Sequence, residues 1–131
     1  MSHRFIGGLI ASLGATGVGL GAFGAHALKA QLVAAGQLDN WRTAVSYQMI
    51  HVVAALTLWA LPQADSRVPR PGLLRAAVFC WLAGLILFSG SIYGLCLDGP
   101  RWLGPVTPLG GVALIAGWLC VLAACVSKKK A

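Results

Sequence analysis

The sequence predicts an all-α integral membrane protein, a bundle of four transmembrane helices with a short interfacial helix between the first and the second. Three observations predict it. Of the 131 residues, 58% are hydrophobic and only 10% are charged, against about 25% charged in soluble domains. Mean hydropathy is +0.79. Four apolar runs, at about 5–25, 41–61, 73–95 and 108–127, each approach or exceed the ~18 residues that mark a spanning helix. Over such lengths in hydrocarbon only a helix satisfies its own backbone groups. Residues 1–131 thus read as a single transmembrane domain.

The first run follows Ser2-His3-Arg4 and ends in Ala25-His26-Ala27, an A-x-A pattern of the kind signal peptidase cuts. It is long for a signal segment and dense in glycine, so a retained helix is expected. Residues 27–38, ALKAQLVAAGQL, are too few to cross. Leu28, Leu32 and Ala35 share one face there, which suits a helix lying in the interface. Asp39 or Asn40 is placed to cap the second span, and Pro62 to stop it. The polar loop Pro62–Gly72 leads to the third span, which restarts at Leu73. Asp98-Gly99-Pro100 reads as a turn, and Thr107-Pro108 as an N-cap and first helical residue for the fourth span.

Four spans put Arg4, Arg67, Arg70, Arg75, Lys128, Lys129 and Lys130 on one side, leaving Lys29, Arg42 and Arg101 on the other. The excess of basic residues predicts both termini in the cytoplasm. Lys128–Lys130 reads as a topology anchor. The net charge of +7 sits at the ends of apolar segments with no interleaved stacking aromatics, which argues against nucleic acid.

Lipid tails give helices no hydrophobic reason to associate, so close backbone approach must hold them together. On the first span Gly7, Gly14, Gly17, Gly21 and Gly24 form one stripe. The third span offers Ala76, Cys80, Ala83, Gly90 and Gly94, and the fourth Ala113 with Gly117. These stripes read as helix packing rather than as a substrate path. The lipid bilayer is the expected partner, together with a homo-oligomer or a larger membrane complex.

Chemistry, if present, belongs to the second span. Ala44, Gln48, His51 and Ala55 share a face, with Tyr47 one turn from His51, while Met49, Val52, Leu56 and Trp59 form the face expected toward lipid. His51 lies ten residues beyond Trp41, about 15 Å along the helix and so near the midplane. Apolar surroundings disfavour the charged imidazolium, so a neutral ring donating one hydrogen bond and accepting another is expected. An ionisable residue at that depth marks a possible site; interhelical packing is the simpler account. The polar, glycine-rich stretches of all four spans fall in the non-cytoplasmic half. His26, Arg42, Tyr47, Gln48, His51, Ser89, Ser91, Tyr93 and Thr107 are the candidate lining of a polar pocket there. Tyr93, Trp41 and Trp102 also suit an interfacial aromatic belt.

Asp39, Asp65 and Asp98, the only acids, lie in or beside loops, so no intramembrane carboxylate is available for ion coupling. Cys80, Cys96, Cys120 and Cys125 include no C-x-x-C pair, and no disulfide or metal centre is expected. No phosphate loop, nucleophile triad or metal-ligand spacing occurs, so no cofactor and no enzymatic activity are expected.

The segments GAFGAHAL (21–28), W-x-T-A-V-x-Y-Q-M-x-H (41–51), FSGS-x-Y (88–93) and GP-x-TPLGG (104–111), followed by Trp118, resemble those of a small bacterial membrane-protein family. It is catalogued as domain of unknown function 423 and includes the YgdD and YwdK proteins, with transmembrane protein 256 as a eukaryotic relative. The resemblance covers essentially the whole chain. It implies a four-helix inner-membrane protein and assigns no reaction, so Gly24, His26, Trp41, Tyr47, Gln48, His51, Ser89, Tyr93, Thr107 and Pro108 carry over as structural or binding positions. A non-enzymatic accessory or assembly subunit, or a homo-oligomer, is the leading expectation. The alternative is a small transport or ligand-binding module, for an ion, lipid or quinone, built around His51.

Overall fold

The computed structural model describes residues 3–61 and 70–126. Helices run over His3–Ala25 (α1), Lys29–Ala34 (α2), Leu38–Ala60 (α3), Pro71–Cys96 (α4) and Leu103–Val126 (α5). All but α2 are long and apolar enough to cross a membrane. The Pro62 stop, most of the 62–72 loop and the Lys128–Lys130 run lie outside the described residues.

Three boundaries differ from expectation. The interfacial helix contracts to the six residues of α2 because Gly36 adopts φ +66. Its N–H reaches Val33 O at 3.0 Å and that of Gln37 reaches Leu32 O at 2.8 Å, a Schellman closure that only glycine enters without strain. The chain then turns directly into α3 at Leu38. Asp39 and Asn40 therefore lie in the first turn and cap nothing, although Asp39 suits the positive helix end. Finally, α5 starts at Leu103, which places Pro105 in the first turn and Pro108 inside the helix. Thr107 is consequently helical, and its hydroxyl donates back to Leu103 O at 3.2 Å instead of capping.

The packing runs α1 on α3, α3 on α4, α4 on α5. Along the first contact the expected glycine stripe meets α3 in antiparallel register. A Cβ built at Gly7 would face Trp59, at Gly14 Val52, at Gly17 Gln48 and Met49, at Gly21 Val45 and at Gly24 Trp41. Val52 and the Trp59 indole nitrogen are thus buried here, not turned to lipid. The α4–α5 contact is closer still. Gly110 lies against the backbone of Leu87 and Phe88, Gly117 against Trp81, Gly84 against Leu114, and Gly94 against Leu103. On α4 the packed small positions are Ala77, Gly84, Ser91 and Gly94; Ala83 and Gly90 are exposed, and a Cβ at Gly90 would meet nothing. The choice of face is made by α5, whose glycines admit the α4 backbone only along that line.

The main core gathers Ile6, Ile10, Val52, Trp81, Leu85 and Leu114 from the four long helices. A second cluster of Leu32, Trp41 and Cys96 lies where α2 folds under. Trp41 is 1% exposed, donates its indole N–H to Leu20 O at 2.9 Å and packs on Tyr93. It is a core residue, whereas Trp102 stays exposed as a belt residue would.

Candidate functional site

The polar side chains of the expected pocket do not share one cavity. They separate into four hydrogen-bonded contacts between helices, with three residues left outside. Gln48, 3% exposed, faces α1 and α4. Its Nε2 donates to Leu13 O at 2.7 Å and to Thr16 Oγ1 at 3.2 Å, and its Oε1 accepts the Tyr93 hydroxyl at 2.9 Å. One side chain thus ties three helices together. Ser89 on α4 donates to Ala44 O on α3 at 2.9 Å. Ser91 and Thr107 join α4 to α5 through their hydroxyls at 2.7 Å.

His51 looks the other way, toward α5. It is 5% exposed and stands two residues past Met49, the central residue of the 23-residue α3. Its Nδ1 is 2.8 Å from Tyr47 O, and the Trp118 indole N–H points to its Nε2 at 3.0 Å. A carbonyl only accepts and an indole only donates, so these partners select the neutral ring with its proton on Nδ1. The Trp81 ring meets the imidazole edge-on at 6.0 Å and lies 4.8 Å from Trp118. Both ring nitrogens are therefore spent within the chain.

His26 and Arg42 are exposed at the loop end, with Arg42 3.4 Å from Asp39. Tyr47 is 42% exposed and packs, tilted, on Phe88 at 4.8 Å between centroids. It borders a groove between α3 and α5, of about 460 Å³, whose floor is Phe88 and whose far wall is Gly111, Ile115 and Trp118. Sequence reasoning missed Thr16, Trp81 and Trp118 as members of these contacts. Trp118 carried one available signal: it sits deep in the fourth apolar run, where an interfacial tryptophan has no place. Among the described residues no group of three or more metal-binding side chains occurs.

Residues 20–111 match the family model described as "Protein of unknown function (DUF423)". The UPF0382 membrane protein YwdK of Bacillus subtilis is 40% identical over 109 residues, covering 83% of this chain and 85% of its own length. The UPF0382 membrane protein C1782.12c of Schizosaccharomyces pombe is 38% identical over 115 residues, covering 83% and 91%. A UPF0382 membrane protein of Haemophilus influenzae is 34% identical over 111 residues, covering 85% of each chain. No solved structure matches the chain. Four apolar spans and these relatives describe a multi-pass membrane protein, and the chain belongs to the DUF423 family.

Proposed function

We propose that this protein is a non-enzymatic assembly subunit of the cell inner membrane, with both termini cytoplasmic, and that α1 is its docking helix. The observation that carries the reading is a second small-residue face on α1. Gly8, Ser12, Ala15, Gly19 and Ala22 recur at spacings of four, three, four and three, on the side opposite the stripe that packs on α3. Gly19 is half-buried and the others are exposed; a Cβ at Gly8 or Gly19 would meet nothing within 4 Å. Ser12 turns its hydroxyl to its own helix, at 2.9 Å from Gly8 O, and so keeps the face flat and dry. Small faces of this kind let two helices approach closely in lipid, where no hydrophobic force would otherwise join them. The same repeat on the other side of α1 already serves that purpose within the chain. Transport draws less support, because Gln48, His51, Ser89, Ser91 and Thr107 spend their hydrogen bonds between helices and leave no run of free polar groups across the bilayer.

Ala15→Leu and Gly19→Leu test the reading, since neither side chain touches α3. In nanodiscs or mild detergent, the unaltered protein should run as an oligomer or carry a second membrane protein by native mass spectrometry. Each variant should run alone while melting at the same temperature. A monomer without companions in the unaltered protein, or full assembly in both variants, would rule the proposal out.

A further inference from the structure

The groove between α3 and α5 has a lining that lipid contact alone does not explain. Tyr47 and Trp118 are 42% and 47% exposed, yet both belong to the middle of their helices. Exposed aromatic rings normally gather at the two membrane surfaces. With Phe88 and His51, they place four rings around a space of about 460 Å³, and no charged residue borders it. Tyr47 and Phe88 lie 4.8 Å apart between centroids, Tyr47 and His51 5.9 Å, and His51 and Trp118 6.0 Å.

The polar groups decide what kind of guest fits. His51 offers nothing, because Tyr47 O and the Trp118 indole hold both its nitrogens. The Tyr47 hydroxyl has no hydrogen-bond partner among the described residues. It is carried two residues before the centre of α3, where hydrocarbon supplies none. An uncharged groove with one free phenol donor and four rings calls for a neutral, planar, conjugated ring bearing an acceptor oxygen. A guest at that depth must also be lipid-soluble and enter sideways between α3 and α5.

We infer that the α3–α5 groove is a binding site for a quinone-class molecule, its ring stacked beside Tyr47 and Trp118 and one carbonyl accepting the Tyr47 hydroxyl. The volume suits a substituted benzoquinone ring with the first part of its tail. Bound this way the quinone covers the exposed faces of both aromatic side chains and satisfies the Tyr47 hydroxyl. Gly111 leaves room for it: a Cβ there would meet only the Phe88 ring, at 3.8 and 3.9 Å, so a longer side chain enters the groove without disturbing the fold.

The test uses the purified full chain in phosphatidylcholine nanodiscs free of quinone, titrated with decylubiquinone and followed by tryptophan fluorescence. Wild type should show saturable quenching above the linear collisional background. Gly111→Leu, shown folded by circular dichroism, should retain only the background. Tyr47→Phe should saturate at about three- to tenfold higher quinone fraction, the loss of one hydrogen bond. Linear quenching that is equal in wild type and Gly111→Leu overturns the proposal. So does equal displacement of the quinone by n-decanol, which would make the groove an acyl-chain site. Disulfide cross-linking between copies through Ile115→Cys, with quinone unable to suppress it, would assign the groove to a second copy instead.

Discussion

Gly110 gives the sharpest test of how α4 and α5 are joined. In Gly110→Ala the new methyl would fall hardest on Phe88 N and lie 2.7 Å from Leu87 C and Phe88 Cα, against about 3.4 Å for ordinary contact. Those are backbone atoms and cannot rotate aside, so the helices must part by about the difference. A gap of 0.5–1 Å forfeits a quarter to a half of each atom contact, and a contact is worth about 0.1–0.2 kcal/mol. For a crossing with about 50 such contacts, as around one buried leucine, the loss is roughly 1–5 kcal/mol, about 3 kcal/mol at mid-range. Replacing a helical glycine by alanine returns about 1 kcal/mol. The net destabilisation is therefore about 2 kcal/mol at mid-range, within the roughly 1–3 kcal/mol that overpacking usually costs. Reversible unfolding in mixed dodecyl maltoside and dodecyl sulfate micelles, followed by circular dichroism, measures it. Gly8→Ala, with open space around it, is the matched control and should gain that propensity term of about 1 kcal/mol with nothing to offset it. If Gly110→Ala were as stable as that control, the backbone contact would not be what holds α4 to α5.

Two further outcomes are expected. A double-mutant cycle of Gln48→Leu and Tyr93→Phe should give a coupling of about 0.6 kcal/mol and no more than about 1.7, the mean and maximum for interhelical hydrogen bonds in bilayers, and a coupling near zero would mean the 2.9 Å contact contributes nothing. The proposed orientation, with both termini cytoplasmic, requires that Asp98→Cys in the α4–α5 turn react with a membrane-impermeant maleimide in right-side-out vesicles; labelling in inside-out vesicles alone would reverse the orientation.

Hydropathy made the four spans legible, because a helix in lipid must be apolar along nearly its whole length. The glycine stripe of α1 was legible too, since its five members have one periodicity. On α4 the same reasoning was right at Gly94, which meets Leu103, and wrong at Ala83 and Gly90, which are exposed. Ala76, Cys80, Ala83 and Gly90 share a face as well as Ala77, Gly84 and Ser91 do, and only the position of the α5 glycines separates the two. The start of α5 was ambiguous for a related reason: Pro105 and Pro108 can both stand near a helix beginning, and only tertiary contact decides between them. Gln48, His51, Ser89 and Tyr93 were visible as polar residues in apolar runs. Their separation into different contacts was not visible, because Leu13 O, Ala44 O and Tyr47 O are backbone acceptors that leave no trace in the residue types.

The antiparallel glycine contacts divide the chain into two hairpins, α1 with α3 and α4 with α5. Within the first, Gln48 already reaches Leu13 and Thr16, and His51 already donates to its own Tyr47 carbonyl. Within the second, Ser91 already meets Thr107. Each hairpin can thus enter the bilayer with most of its polar side chains satisfied before it encounters the other. Among the described residues the contacts of Ser89, Tyr93, Cys96 and Trp118 wait for that meeting, and together they act as a latch that recognises the correct half without exposing a charge to lipid.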